Sequence, residues 1–591
     1  MNQIVLPKRT SRLRAAAKAQ SPAILCASAP AFCYLLARPY AETGICDDWS
    51  YIKMAQVLAQ TGHVVYNGWE TPMLGWQLFL GAAMARLFGF SFTAVRLSTL
   101  IVAMATAYLV QRTFVRAGIR PWNATLATMT FVLSPMFVPL AFGFMTDISG
   151  VFCTVLCLYM CLRAVQAGTE NSMTAWISVA AMLNALGGTA RQTAWLGVLV
   201  MVPSTLWLLR RRRRVLMIGG LSCVVAIGLV FAFTRWFSRE PYTIPEQFTF
   251  GAFDLKSVEN IVAMTMRGIA ALLLLLLPVL LMFVAPLRRA NRRMVVVLAA
   301  GSLSFAAMGL VLFLHHGLDH WLAPFLDGYV SARGLVDVHS IMGPRPVILD
   351  DGFRVLLTVA TVLGLLSLMA VFFGKIPGLP SLPNRPASLS WLNLGMILSP
   401  FSMGYIALLA YRASFGGFND RYLLPLVVLT LLVLVRYYQE AVKPELPIAS
   451  AVLLGFLACF SIAATHDVFA MYRGYIAAID EVRSSGLPAT AINGSWENDG
   501  WTQIEAAGFV NDPGIKVPRG AYVFHPVSVF PAGCDGHSMD RVPAVKPVYA
   551  LSFDATQCEG PAAFPPVTYR TWLSPHVTSI YIVKFPASLR Q

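Results

Sequence analysis

Two adjacent carboxylates, Asp47 and Asp48, stand in the segment 45–51, shortly after the first apolar stretch of the chain. Adjacent carboxylates beside an apolar wall are typical of a general base that accepts a hydroxyl proton. A second interpretation is equally open, because Asp48 could cap a helix that begins at Trp49. The pair is therefore the first candidate for chemistry.

Three further charged residues stand at the ends of apolar stretches. Asp147 opens such a stretch, where an acid is either a helix cap or a site residue. Arg191 has no acidic neighbour in the sequence, so either a substrate phosphate or the lipid headgroups could be its partner. Arg421 could hold an anion in the same way, or it could form an ion pair with Asp420.

Two other clusters have weaker implications. The stretch 315–320 contains His315, His316, Asp319 and His320, whose spacing could bind a metal, but no complete ligand set is evident. The pair Cys534 and Cys558 falls in a polar segment, where an oxidising compartment would allow a disulfide. The sequence leaves both questions open.

The composition identifies the elements that must position these residues. Of 591 residues, 57% are hydrophobic and only 13% are charged, and the mean hydropathy is +0.63, which is typical of a polytopic integral membrane protein. The net charge of +16 comes from basic clusters between apolar runs. That distribution follows the positive-inside rule and argues against nucleic-acid binding.

Charge and length predict about thirteen transmembrane helices, each about 17–25 residues long. The five arginines at 210–214 give the firmest cytoplasmic assignment. Counting from a cytoplasmic N-terminus places Asp47, Asp48, Asp147, Arg191 and Arg421 on the extracytoplasmic side.

The chain divides into two expected domains. Residues 1–466 form the α-helical transmembrane domain, and its first outer segment, 38–91, has two apolar runs at 51–59 and 74–88 that predict juxtamembrane helices. Residues 467–591 predict a small extracytoplasmic α/β domain, with strand patterns at 521–524 and 579–583.

The chain resembles the GT-C glycosyltransferases that use polyprenyl-phosphate sugars, the superfamily of protein O-mannosyltransferases and bacterial lipid A aminoarabinose transferases. The resemblance covers the whole chain. It is carried by Asp47-Asp48-Trp49-Ser50-Tyr51, Thr146-Asp147, Gly187-Gly188 with Arg191-Gln192, Arg421-Tyr422-Leu423-Leu424-Pro425, and the tail segment 493–501.

The resemblance implies an inverting transfer from a polyprenyl-phosphate-linked sugar donor to a lipid, glycan or protein acceptor, at the outer face of a bacterial inner membrane. The first-loop acid would be the general base. Family members often have Asp-Glu there, so Asp-Asp leaves the base unassigned, and Asp47 is preferred by position. Asp147 would orient acceptor or sugar. Arg191 and Arg421 would neutralise the leaving phosphate, and Tyr51, Gln192 and Tyr422 would contact substrate. A divalent cation cofactor stays open.

Two rival functions remain at this point. A transporter or flippase would line a pathway with buried charges, but no paired inverted halves or interrupted helices in matching positions are evident. A noncatalytic assembly factor would use the outer charges only as helix caps. Alanine at Asp47 and Asp48 separates these cases, because only an enzyme would lose sugar transfer.

Overall fold

The computed structural model describes residues 8–245, 254–316, 321–326, 328–336, 341–374, 389–415, 417–443, 445–510, 534 and 541–586. α-Helices dominate these residues. They are α1 (Lys8–Ala37), α2 (Asp48–Thr61), α3 (Gly75–Phe88), α4 (Phe92–Arg116), α5 (Pro121–Val132), α6 (Phe137–Leu140), α7 (Thr146–Val165), α8 (Glu170–Gly187), α9 (Val202–Leu208), α10 (Arg213–Phe237), α11 (Leu255–Leu275), α12 (Leu277–Leu280), α13 (Arg292–His316), α14 (Asp351–Gly374), α15 (Trp391–Ala413), α16 (Leu424–Ala441), α17 (Ile448–Ser484) and α18 (Trp496–Ala507).

Within the described residues, ten helices are long and apolar enough to cross a membrane. They are α1 from residue 20, α4, α7, α10, α11, α13 to residue 311, α14, α15, α16 with the turn before it, and α17. The α-helical, polytopic class expected from the composition is therefore confirmed.

The other three of the thirteen predicted spans are helical, but they are not both long enough and apolar enough to be counted among these ten helices. The first, 123–142, is broken into α5 and α6 around Pro135, because proline lacks an N–H and disfavours helix in the residue before it. The second, α8, begins with Glu170 and contains Asn184. The third is divided into a 3₁₀ turn (Gln192–Trp195), a π-turn (Gly197–Met201) and α9.

The segment 38–91 contains two helices, α2 and α3, at the two apolar runs of the sequence. Gly62 ends α2 with φ of 79°, a left-handed conformation that glycine adopts without strain, so the chain reverses immediately. Ser91 then caps α4, with its hydroxyl accepting from the Ala94 amide at 2.9 Å. Residues 63–74 form a loop beside the start of α2, because the Ser50 hydroxyl contacts the side chains of Asn67 and Glu70.

The tail forms a four-stranded sheet in the order β3-β4-β6-β5, with α18 next to β3. β3 (Ile492–Asn493) is parallel to β4 (Tyr549–Ser552), whereas β6 (Thr578–Lys584) is antiparallel to both β4 and β5 (Val567–Tyr569). The predicted strand at 579–583 is confirmed by β6, while the one at 521–524 lies outside the described residues. Cys534 and Cys558 are joined by a disulfide.

The tail and the membrane helices are connected by one continuous helix and by a loop. α17 runs for 37 residues from the apolar region into the tail, and the expected boundary at 466/467 falls inside it. In the loop after α13, β1 (Val330–Ser331) pairs with β2 (Gly334–Leu335). The same loop then joins the tail, because Met342 exchanges backbone hydrogen bonds with Leu551 and Phe553 at 3.2 and 2.8 Å.

Candidate active site

Asp47 lies at the N-terminal end of α2 with its side chain 28% exposed. The Trp69 indole N–H donates to its Oδ1 at 3.0 Å, and Arg421 Nη2 lies 3.5 Å from its Oδ2. The carboxylate is therefore oriented by two donors and still reaches open space.

Asp48 lies in the opposite environment, with its side chain fully buried. The Arg96 guanidinium makes a bidentate contact with it at 2.8 and 3.0 Å. The backbone amides of Ile45 and Phe144 also donate to it, at 2.7 and 3.1 Å. These four donors use both carboxylate oxygens, so Asp48 joins the segment 38–91 to α4 and to the turn before α7.

Asp147 and Arg191 form an ion pair, with Arg191 Nη1 3.1 Å from Asp147 Oδ1. Arg191 has no acidic neighbour in the sequence, but folding brings in an acid 44 positions away in the chain. Arg191 can approach α7 this closely because Gly150 has no side chain. A Cβ atom at Gly150 would lie 2.6 Å from the Arg191 Cδ. Asp147 is buried, and its Oδ2 has no hydrogen-bond partner among the described residues. An unpaired buried carboxylate oxygen is available to a ligand.

Tyr422 lies between the two arginines. Its ring centroid is 5.0 Å from the Arg191 guanidinium carbon and 5.6 Å from that of Arg421. The Tyr405 hydroxyl fixes the same turn by donating to the Tyr422 carbonyl at 2.8 Å. The four charged residues thus form a continuous row, Asp47, Arg421, Arg191 and Asp147, with an aromatic ring in its middle.

The loop 63–74 covers this row from the side of Asp47. The Glu70 carboxylate is buried and accepts from the Ser50 hydroxyl and from the amides of Asn67 and Trp69, the last two at 3.1 and 3.3 Å. Burial raises the pKa of Glu70, and the hydrogen bonds from Ser50 and the loop amides oppose that shift. This anchor holds Trp69 against Trp496 of the tail, with ring centroids 4.4 Å apart.

The remaining expected substrate-binding residues also lie here. Tyr51 is buried and interacts electrostatically with Asp47 and Arg421. The Gln192 amide nitrogen does not contact the charged row. It donates to the Thr71 carbonyl at 3.1 Å and so ties the loop 63–74 to the turn before α9.

The helix-cap and ion-pair alternatives are not what the structure contains. The helix α2 has Asp47, not Asp48, at its N-cap position, and no side chain caps it. No side chain caps α7 either, although Asp147 is in its first turn. Asp420 accepts the amides of Tyr329 and Val330 at 2.7 and 2.9 Å, so Arg421 pairs with Asp47 instead.

Metal binding concerns two parts of the chain, the candidate site and the histidine cluster at 315–320. Among the described residues, no group of three His, Cys, Asp or Glu side chains is placed to hold a metal ion. Asp47 and Asp147 each face an arginine, which does not fit a cation-binding carboxylate pair. The histidine cluster at 315–320 lies outside the described residues, apart from the helical backbone of His315 and His316.

Residues 70–236 match the sequence family described as dolichyl-phosphate-mannose-protein mannosyltransferase. This match covers less than half of the 591-residue chain. The matched stretch contains Asp147 and Arg191, whereas Asp47 and Arg421 lie outside it. Among proteins of curated function, none matches the chain.

Solved GT-C structures give distant likenesses. ArnT from Cupriavidus metallidurans bound to undecaprenyl phosphate has a TM-score of 0.36 at 11% identity, covering 96% of this chain and 98% of that one. An oligosaccharyltransferase from Archaeoglobus fulgidus has a TM-score of 0.36 at 13% identity, over 89% and 63%. The Pmt1-Pmt2 protein O-mannosyltransferase complex of S. cerevisiae has 0.31 at 13%, over 40% of this chain and 34% of that one. Likenesses this distant carry no residue roles to this chain.

Sequence reasoning missed Trp69, Glu70 and Arg96. Trp69 contacts Asp47, and Glu70 accepts hydrogen bonds within the loop 63–74. Both contacts depend on turns that have no sequence pattern. Arg96 did carry a signal, because a charged residue inside an apolar helix requires a buried partner.

Proposed function

We propose that this chain is a GT-C glycosyltransferase that transfers a sugar from a polyprenyl-phosphate donor to an acceptor hydroxyl, with inversion at the anomeric carbon and with Asp47 as general base. The acceptor oxygen forms the new bond to the anomeric carbon, the bond to the donor phosphate oxygen breaks, and the hydroxyl proton passes to the Asp47 carboxylate. The polyprenyl phosphate leaves with the bonding electron pair.

The observation that carries this proposal is the different surroundings of the two first-loop acids. Asp48 has both oxygens occupied by four donors and no exposed surface. Asp47 is held by two donors and keeps an open face. Only a carboxylate that a substrate can reach can accept its proton, which favours Asp47.

The donor phosphate is assigned to the two arginines. Arg191 and Arg421 lie on either side of Tyr422, so a phosphate near that ring would be in reach of both guanidinium groups. Arginine is suited to this task because its planar donors match phosphate oxygens. Charge that develops on the leaving phosphate is then stabilised by groups already in place, which typically contributes several kcal/mol.

Donor binding also prepares the base. The Arg421 to Asp47 contact is 3.5 Å, longer than the 3.1 Å contact between Arg191 and Asp147. A phosphate that draws Arg421 away therefore weakens the looser of the two ion pairs and leaves Asp47 with the Trp69 donor alone. Asp147 keeps Arg191 oriented, and its unpaired Oδ2 accepts a hydroxyl from sugar or acceptor.

We place the site on the extracytoplasmic face of a bacterial inner membrane, with the N-terminus cytoplasmic and the tail outside. The basic cluster at 210–214 supports this orientation by the positive-inside rule. Residues 1–466 would then be the catalytic membrane domain with its juxtamembrane helices, and 467–591 an extracytoplasmic domain that contacts the site through Trp496.

The test is transfer by the purified full chain in liposomes, with a panel of polyprenyl-phosphate hexoses and pentoses and an envelope glycan or lipid fraction as acceptor. Mass spectrometry reads new glycosidic products. Asp47→Asn should lower the rate about 10²–10⁴-fold, whereas Asp480→Asn, an exposed aspartate on α17, should not. A flippase would move the donor across the bilayer without forming product. Normal transfer by Asp47→Asn would exclude Asp47 as the base.

A further inference from the structure

A cavity of about 300 Å³ lies between α17 and β5, apart from the charged row of the candidate site. Its lining includes two arginines, Arg473 from the helix and Arg570 from the end of the strand, beside Tyr569. The helix and strand can approach closely here because Gly474 has no side chain. A Cβ atom at Gly474 would lie 3.1 Å from the Tyr569 ring.

The cavity is positively charged. The Arg473 guanidinium donates to the carbonyls of Arg38 and Tyr40 at 3.3 and 3.2 Å, which orient it without neutralising it. Neither Arg473 nor Arg570 forms an ion pair with a carboxylate among the described residues. The nearby acid, Asp467, is already occupied.

Asp467 accepts the amides of Trp572 and Leu573 at 2.6 and 2.9 Å and pairs with His466 at 3.0 Å. The loop that follows β5 is thereby held against α17. Trp572 stacks on the His466 ring with centroids 3.9 Å apart, yet remains 56% exposed. A fixed and exposed tryptophan is typical of the boundary between lipid and water.

Helix geometry places the cavity at that boundary. α17 begins at Ile448, so at 1.5 Å per residue Arg473 lies about 38 Å along the helix. The hydrocarbon core accounts for about 30 Å and the headgroup layer for the next few ångströms. At the neighbouring end of α1, the side chains of Leu35 and Leu36 are exposed. The arginines therefore lie at headgroup depth beside an apolar surface.

We propose that the groove formed by Arg473 and Arg570 binds the phosphate of an anionic membrane phospholipid, with Trp572 lying among the headgroups. The two guanidinium groups supply the charge, and the exposed leucines of α1 accommodate the acyl chains. This lipid site is separate from the donor site and would hold the tail domain at a fixed height above the bilayer.

The experiment uses native mass spectrometry of the full chain in detergent, titrated with phosphatidylglycerol or phosphatidylcholine. Phosphatidylglycerol should bind more tightly. The double variant Arg473→Ala/Arg570→Ala should weaken its binding roughly twenty-five-fold, about fivefold for each arginine. Arg483→Ala, an exposed arginine ten residues farther along α17, is the matched control and should bind as the original chain does.

Three results would overturn the proposal. They are equal binding of the two lipids, unchanged phosphatidylglycerol binding by the double variant, and occupation of the groove by sodium phosphate alone with the same dependence on the arginines. The single variant Arg570→Ala is the control for misfolding of the double variant, because the Arg570 side chain is exposed. Lipid binding by Asp47→Asn should be unchanged, so failure of the catalytic proposal would be seen separately.

Discussion

Replacing Asp48 with alanine should destabilise the protein far more than the same change at Asp47. The Asp48→Ala change leaves the Arg96 guanidinium buried with only the carbonyls of Ala41 and Thr43 as partners, at 2.9 and 2.6 Å. Breaking a buried ion pair by removing one member costs about 3–5 kcal/mol. Two backbone amides lose their acceptor as well, at about 1–3 kcal/mol each if they stay buried.

Because the loop can relax, these costs do not add fully, and we expect a loss of about 4 kcal/mol. Asp47 is partly exposed and its arginine is 3.5 Å away. An ion pair of that kind contributes about 0–1 kcal/mol, so Asp47→Ala should leave the melting temperature nearly unchanged while abolishing transfer. Thermal unfolding in one detergent, followed by intrinsic fluorescence, measures both variants.

A double-mutant cycle with Arg96→Met checks the cause. If the ion pair is responsible, Asp48→Ala should cost much less once Arg96 is replaced, because no unpaired charge is left behind. The reasoning fails if Asp48→Ala melts like the original chain yet loses transfer, since Asp48 would then be the better candidate for the base.

Three further predictions follow from the contacts around the site. Arg421→Lys should raise the KM for the donor about tenfold or more in steady-state kinetics, because lysine cannot offer two parallel donors to a phosphate; an unchanged KM would exclude Arg421 from donor binding. Trp69→Phe should keep the ring against Trp496 but lose the hydrogen bond to Asp47, lowering kcat about fivefold to tenfold, and an unaltered pH–rate profile would show that this bond does not tune the base. Burial raises the pKa of Asp499 to about 7, so the native state holds a proton that the unfolded chain releases near pH 4. Stability should therefore fall as pH rises from about 4 to 7 and level off above, and Asp499→Asn should remove that slope in melting curves.

The sequence was sufficient for the helices, because apolar runs and flanking charges are local. It was misleading where a run was long enough but irregular. The stretch 123–142 contains Ser134-Pro135, a local break signal that outweighs the length of the run. The turns around Gly197 similarly divide the stretch 192–208.

The residues of the candidate site could be identified from the sequence by their type, but the residues that they contact could not. Arg191 and Asp147 were both identified, yet their ion pair depends on how α7 packs against the turn before α9, a contact with no sequence signature. The division between Asp47 and Asp48 is of the same kind. Two identical neighbours differ because Arg96 and two backbone amides approach Asp48, whereas Trp69 and Arg421 approach Asp47.

The continuity of α17 gives the tail a mechanical coupling to the bilayer. A helix turns by about 100° for each residue, so a single inserted residue between His466 and Arg473 would swing everything beyond it by that angle. Trp496 would then be carried away from Trp69, and the arginines of the groove would face a different side. The spacing of this stretch is thus constrained by rotation as well as by length, unlike that of a flexible linker of equal size.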